Sequence, residues 1–231
     1  MKEKELKKKV FEWDTESWSR AFELWDEAIN NINPGKALEM GGKRGGPSLY
    51  LASKGFDVLC TDINKEFLDQ ARAFHEKENV TNRVKYESLD SLNIHYENEF
   101  DVVIFKSILG GIDRDNKNYK ESHKKILKQI QKALKPNGYL LFAENLKGSK
   151  LHLLAREKFR KWGDTWRYID HRDLGEYFEP FSQVKIKRGG FAGAFGLNES
   201  MKNAFGKIDG LLLNSITPKS WKYIAYGYAK K

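Results

Sequence analysis

Ala37-Leu38-Glu39-Met40-Gly41-Gly42-Lys43-Arg44-Gly45-Gly46 is the stretch that decides the fold. A short strand, Ala37 to Met40, runs into glycines, and Pro47 to Lys54 beyond them reads as a helix. Proline sits in its first turn and Gly55 just past its end. A strand joined to a helix by a glycine turn is the opening unit of an α/β sheet. Glycine lets the backbone turn tightly and approach a ligand with no Cβ in the way. The helix start adds free N–H groups and a partial positive charge.

The alternation continues outward. Val58 to Thr61 is a buried strand ending at Asp62, and Asn64 can cap the helix after it, with Phe67, Ala71 and Phe74 on one side. Val84 to Tyr86 and Phe100 to Phe105 read as the third and fourth strands. Tyr119 to Leu134 is a helix with Ile126, Ile130 and Leu134 aligned. Pro136-Asn137-Gly138 is a turn into a fifth strand, Tyr139 to Ala143. Continuous apolar strands alternating with helices predict a parallel sheet covered on both faces. Such a sheet binds ligands beyond the carboxyl ends of its strands, which selects the loops after Met40, Thr61, Phe105 and Ala143. Before this core, Trp18, Phe22, Trp25 and Ile29 mark one face of a helix that Asp14 or Thr15 would cap. After it, Leu151 to Trp162 reads as a basic, aromatic helix. Val184 to Lys187 and Trp221 to Ala229 are the last strands. Between them lies an insert of roughly 30 residues, its middle helical from Glu199 to Leu213.

The glycine stretch can be tested against known phosphate loops. A P-loop requires glycine where Ala37 stands and Ser or Thr where Arg44 stands. A dinucleotide fingerprint over Gly41, Lys43 and Gly46 lacks its middle glycine. Ala37 to Gly45 does resemble motif I of the class I S-adenosylmethionine-dependent methyltransferases. Glu39, two residues before Gly41, matches that motif's acidic residue, which dehydrogenase loops usually lack, while Lys43 replaces a glycine. Asp62 follows about 20 residues later, Asp90-Ser91-Leu92 follows the third strand, and Phe100 to Ile104 resembles motif IV. Leu134 to Leu140 resembles the entry to strand five, and Trp221 to Tyr226 the family's antiparallel last strand. The likeness is good over residues 35–145 and loose over 180–231.

The resemblance implies an α/β, doubly wound, seven-stranded, mostly parallel sheet with an antiparallel last strand. An N-terminal helical cap and an insert between strands six and seven complete it. Residues 1–231 then form a single domain: cap 1–33, cofactor core 34–145, acceptor-side segment and final strands 146–231. The implied cofactor is S-adenosylmethionine, with Glu39, Gly41, Gly42, Gly45, Asp62, Ile63, Asp90, Ser91, Leu92 and Lys106 as its contacts. Asp62 would accept the ribose hydroxyls, and Asp90 would meet the adenine amino group. Asp62 also stands where a helix cap would, and Asp90 where a turn residue would.

The chemistry needs a nucleophile held in line with an activated methyl group. His123, His152 and His171 are candidate bases, with Glu144 behind them; His152, just beyond strand five, is the first choice. Glu144-Asn145 resembles part of the site of magnesium-dependent O-methyltransferases. Lys106-Ser107 stands where their further acid belongs, so no metal is expected. Trp18, Trp162, Trp166, Arg167 and Phe195 are the expected substrate contacts. Aromatic and arginine side chains together suit a sugar, an aromatic ring or an anion, although buried tryptophans would equally serve as core. The expected acceptor is a small molecule or glycan, methylated on oxygen before nitrogen. RNA or protein is the alternative, and a fold retained without chemistry is a third reading, motivated by Lys43.

Composition sets the outer limits. The chain has 231 residues and a single cysteine, Cys60, so no disulfide framework or cysteine zinc cluster is available. No apolar run is long enough to span a bilayer and no signal-peptide core follows the charged start, which predicts a cytoplasmic protein. The formal net charge is +9, with excess at residues 1–10 (+3), 146–172 (+5) and 216–231 (+4), leaving the remainder at −3. The excess lies outside the expected cofactor core, and no appended nucleic-acid module is visible. The charge is therefore read as a sign of a polar or anionic acceptor rather than of nucleic acid.

Overall fold

The computed structural model of the chain describes residues 2–159 and 166–231. The N-terminal cap holds three helices, α1 (Glu3–Phe11), α2 (Thr15–Trp18) and α3 (Ala21–Ile29). The charged start is thus helical, with glutamates in its first turn and lysines in its last, the arrangement a helix dipole favours. The single aromatic helix expected over this region is broken at Ser19-Arg20, yet its four marker residues, Trp18, Phe22, Trp25 and Ile29, are all buried. Asp14 does precede α2, but its side chain makes no capping bond.

The core then alternates as expected: β1 (Lys36–Met40), α4 (Gly46–Ser53), β2 (Asp57–Asp62), α5 (Lys65–Lys77), β3 (Val84–Ser88), β4 (Phe100–Lys106), α6 (Tyr119–Ala133) and β5 (Leu134–Asn145). After it come α7 (Lys150–Phe159), α8 (Leu174–Tyr177), β6 (Gln183–Gly189), α9 (Glu199–Ile208), a π-helical turn (Asp209–Leu213), α10 (Asn214–Ile216) and β7 (Ile224–Lys230). Asn64 caps α5 through its side chain, which accepts the Glu66 N–H.

These strands form one seven-stranded sheet in the order β3-β2-β1-β4-β5-β7-β6. Neighbours are parallel as far as β5, and β7 runs antiparallel to both β5 and β6. Side chains alternate between two apolar layers. Ala37, Val102 and Ile104 join the layer under the cap, whereas Leu38, Met40, Val103 and Phe105 join the layer under α6. The turn at Pro136-Asn137-Gly138 lies inside β5 rather than ahead of it. Phe100 pairs with Leu134 and Val102 already with Tyr139, so the extra residues bulge, with Asn137 at φ +65°.

The cap is fastened to the sheet by aromatic packing. The Trp25 ring stacks 5.6 Å from Phe11 and lies 5.4 Å from Tyr50, while its Nε1–H donates to the Phe142 carbonyl at 3.2 Å. Trp25 is therefore core, not a ligand contact. Truncating a fully buried indole that also satisfies a strand carbonyl opens a cavity and orphans an acceptor. Trp25→Ala should lose about 3–5 kcal/mol in chemical denaturation. A loss below about 1 kcal/mol would mean that the cap is not held this way.

Candidate active site

The glycine turn after β1 is set by internal packing. Gly41 has φ +64°, and a Cβ there would lie 2.5 Å from Ile108 Cγ2. Gly45 has φ +74°, and a Cβ would strike the His75 ring at 2.4 Å. The need for glycine thus comes from neighbouring side chains as much as from any ligand. Lys43 takes φ +41°, so a lysine follows the left-handed path a glycine would take. Its N–H is held by Asp62 Oδ2 at 3.1 Å, which keeps the loop on course.

Glu39 and Asp62 flank this turn. Glu39 is buried and accepts the Ser48 N–H at 3.0 Å and the Ser48 hydroxyl, tying β1 to the first turn of α4. Burial pushes its carboxyl up to about 7, against the lowering effect of Ser48. Asp62 accepts the N–H of Lys43 on one oxygen and of Asn64 on the other. Each carboxylate oxygen keeps a further lone pair, so two more donors, such as a pair of ribose hydroxyls, could be taken. Ile63 beside it is 69% exposed. Asp90 accepts the Leu92 N–H and the Asn93 side-chain amide, a turn-stabilising role that leaves Ser91 and Leu92 half-buried at its side.

A cavity of about 310 Å³ opens from this turn toward the cap and the insert. Glu39, Gly41, Gly42, Lys43 and Arg44 line it together with the aromatic residues Trp13, Trp18, Trp166, Tyr168, Phe195 and Tyr223. Asp62, Ile63, Asp90, Ser91, Leu92 and Gly45 are not in its wall. They lie at or beyond the ends of β2 and β3 and at the start of α4. Gly41 and Gly42 present only backbone to the cavity, a surface that suits a close-lying, elongated ligand.

Several expected roles change. His152 lines the cavity and is buried, but both ring nitrogens are engaged: Nδ1 accepts the Ser149 N–H at 3.0 Å, and Nε2 pairs with the Phe191 carbonyl at 2.8 Å. An Nε2–H donor and an Nδ1 acceptor describe a neutral ring, and burial lowers its basicity further. It has no lone pair left for an acceptor's proton. His123 is buried against Tyr177 and, like His171, is absent from the cavity wall. Glu144 accepts the N–H groups of Ile108 and Leu109 at 2.9 Å, and burial raises it to about 7. Its carboxylate is spent on the loop after β4. Arg167 leaves the site, with Nε donating to the Arg114 carbonyl at 2.8 Å and its guanidinium 4.0 Å over Tyr119. Trp162 lies outside the described residues. Lys106 lines the cavity, but its ammonium donates to the Phe11 carbonyl at 3.0 Å and lies 3.9 Å from the Trp13 ring. Burial depresses it to about 8.

The structure adds residues that sequence reasoning did not assign to the site. Asp14 and Tyr223, far apart in the chain, meet in the cavity wall, where the Tyr223 hydroxyl donates to Asp14 Oδ2 and contacts Ser17 at 3.0 Å. Asp14 is 3% exposed, and its Oδ1 has no hydrogen-bond partner. Burial raises its carboxyl to about 6, opposed by the Tyr223 and Ser17 hydroxyls. Its backbone is left-handed, φ +47°, and the Asp14 and Thr15 N–H groups are gripped by Glu199 at 2.6 and 3.0 Å. A strained, over-determined carboxylate of this kind is typical of functional sites. The only sequence signal for it was its place ahead of a helix. Lys202, Arg156 and Asn145 complete the polar wall.

The chain is similar to known proteins in sequence and in fold. The family described as tellurite resistance protein TehB matches residues 4–183. A tRNA 5-carboxymethoxyuridine methyltransferase of Escherichia coli (strain K12) is 22% identical over 144 residues, 59% of this chain and 52% of the relative. A probable S-adenosyl-L-methionine-dependent methyltransferase TehB of Haemophilus influenzae (strain 10810) is 22% identical over 172 residues, 70% of this chain and 57% of the relative. The chain thus spans just over half the length of the curated relatives it matches. Among solved structures, Haemonchus contortus phosphoethanolamine N-methyltransferase 2 with S-adenosyl-L-methionine superposes with a TM-score of 0.65 at 17% identity, over 93% of this chain and 52% of that one. At that identity the likeness speaks for the fold alone. The family match spans most of the chain, including the glycine turn, Glu39 and Asp62, and so this protein belongs to the TehB family of class I S-adenosylmethionine-dependent methyltransferases.

Proposed function

We propose that the chain methylates a small molecule, a sugar or another hydroxyl compound, on oxygen before nitrogen. The observation that carries this reading is the continuity of the cavity, whose wall passes from the glycine-turn backbone to an aromatic chamber containing Asp14. S-adenosylmethionine, when bound, supplies a methyl group already activated on a sulfonium sulfur. In this reading Gly41 and Gly42 give it a backbone surface, Gly45 starts the helix that Glu39 secures, and Asp62 takes the ribose hydroxyls. Ile63, Asp90, Ser91 and Leu92 surround the base. Lys106 holds the N-terminal segment over the site.

On the acceptor side, Trp18, Trp166, Tyr168 and Phe195 orient the substrate and exclude water, which supplies most of what an in-line transfer needs. The chamber's basic groups, among them Arg156 and Lys202, favour an acceptor with a negative or strongly polar group. Asp14 takes the hydroxyl proton, with Tyr223 fixing the carboxylate, while His152 pins Phe191 and the insert. The E. coli relative's name makes tRNA the second reading. The aromatic chamber is its main counterargument. Incubation with methyl-labelled S-adenosylmethionine, a set of phenols and sugars, and bulk tRNA decides between them. Label in a small molecule is expected, and label in tRNA alone refutes the proposal.

Two variants test the assignments. Asp62→Ala should weaken S-adenosylhomocysteine binding roughly 10- to 100-fold by calorimetry, the value of a charge-assisted hydrogen-bond pair. Unchanged affinity would remove Asp62 from the cofactor site. Asp14 sits at about 6 in the fold against 3.8 as its ordinary value. It is therefore ionised and able to accept a proton only above about pH 6, so turnover should rise through that pH. The same elevation means that its neutral form adds stability fully below about pH 4, and that this stability is lost as pH climbs to about 6. Asp14→Asn should abolish the rise in rate and flatten that part of the stability profile by about 3 kcal/mol. A wild-type pH-rate profile in the variant would clear Asp14 of the role.

A further inference from the structure

A surface helix normally turns its apolar stripe inward. The helical run from α9 through the π turn to α10 does the reverse. Ile208 is 47% exposed, Leu211 86%, Leu212 55% and Ile216 66%, and their i, i+3, i+4, i+8 spacing puts them on one outward stripe. The inner side is small or polar. A Cβ on Gly206 would lie 2.9 Å from Ser17 Oγ, and one on Gly210 would overlap the Arg20 guanidinium. Asp209, fully buried, accepts the N–H groups of Phe191, Ala192 and Gly193 at 2.8–2.9 Å. The leucines are therefore not misplaced core. The inner positions are filled by residues that must be small or must bond the loop ahead of them.

The charge beside the stripe comes from Lys207 and Lys219, and the single carboxylate between Ser200 and Lys231, Asp209, is consumed internally. Of the other lysines in that span, Lys202 lines the cavity, Lys222 is buried on the Leu213 carbonyl, and Lys230 and Lys231 lie at the far end of β7. Lys207 is exposed within the helical run and Lys219 in the turn just past it, where Trp221 is 44% exposed with its ring stacked on Phe191. Exposed leucines and isoleucines on one helical stripe, with lysines and a tryptophan within and just beyond the same run, suit the boundary between lipid headgroups and acyl chains. A second copy of the chain would oppose these lysines to themselves, since a two-fold interface brings the same patch together. No helix among the described residues is long and apolar enough to cross a membrane.

We propose that this outward face of the insert docks on an anionic lipid surface, its leucines entering the interface and its lysines meeting acidic headgroups. The inner side of the same insert gives Phe195 and Lys202 to the cavity, so docking would set the cavity wall close to the membrane. The test is co-sedimentation of the full chain with vesicles of phosphatidylcholine alone and of phosphatidylcholine mixed with phosphatidylglycerol. The chain should pellet with the mixed vesicles, much less with the neutral ones, and less as salt rises. Leu211→Glu/Leu212→Glu and, separately, Lys207→Glu/Lys219→Glu should each cut binding roughly tenfold or more. All four positions are exposed, so both variants should keep the wild-type melting temperature and S-adenosylhomocysteine affinity. The proposal is overturned if the wild type stays in the supernatant with mixed vesicles or if both folded variants still bind. It is overturned equally if light scattering shows a dimer that Leu211→Glu/Leu212→Glu dissociates, which would make a second copy the occupant.

Discussion

Glu39 is buried at the end of β1 with its carboxylate on the Ser48 N–H and hydroxyl, and the other parts of the site take their positions from this contact. It fixes where α4 begins relative to the sheet, so the intervening turn has to double back through left-handed conformations at Gly41, Lys43 and Gly45. Asp62, at the end of the neighbouring strand, holds the Lys43 N–H and completes the turn. A buried carboxylate is costly unless it is hydrogen-bonded, and its elevation to about 7 is the residue of that cost. The strain is borne because the backbone is thereby kept open toward the cavity.

The cap works on the same principle at a larger scale. Phe11, Phe22, Trp25 and Tyr50 pack as one aromatic cluster, and that cluster presses the N-terminal segment against the glycine turn. Lys106 then holds the Phe11 carbonyl, and Glu199, from the insert, grips the start of α2. Three segments distant in sequence thus converge on Asp14. Its Tyr223 partner comes from the residue just ahead of β7, so the lead-in to the last strand takes part in building the cavity wall.

Much of the core was legible because its determinants are local. The β1–turn–α4 unit, the acid at Asp62 and the capping Asn64 depend on residues within a few positions of one another. Strand–helix alternation follows from apolar periodicity. The bulge in β5 was not legible, since the same Pro-Asn-Gly triplet that ends a strand elsewhere can be absorbed between two paired residues. The choice of His152 failed for a related reason. Placement after strand five says nothing about Ser149 and Phe191, which occupy its nitrogens, and Phe191 is brought there by the insert.

The sequence by itself determined the α/β class, the glycine turn with Glu39 and Asp62, and an aromatic helical face ahead of the core, whose role as core or substrate contact it left open. Each is written in short-range spacing or in residue type. Only the tertiary structure decided which side chains meet in the cavity. It joined Asp14 to Tyr223, turned Arg167 toward Tyr119, and spent Glu144 on the loop after β4. It also showed that the leucines of the insert point outward, which the same helical spacing would have allowed to be core. Periodicity defines a stripe, but the orientation of that stripe is set by what the opposite side must meet, here Asp209 on the loop from Phe191 to Gly193 and two glycines against α2 and Arg20.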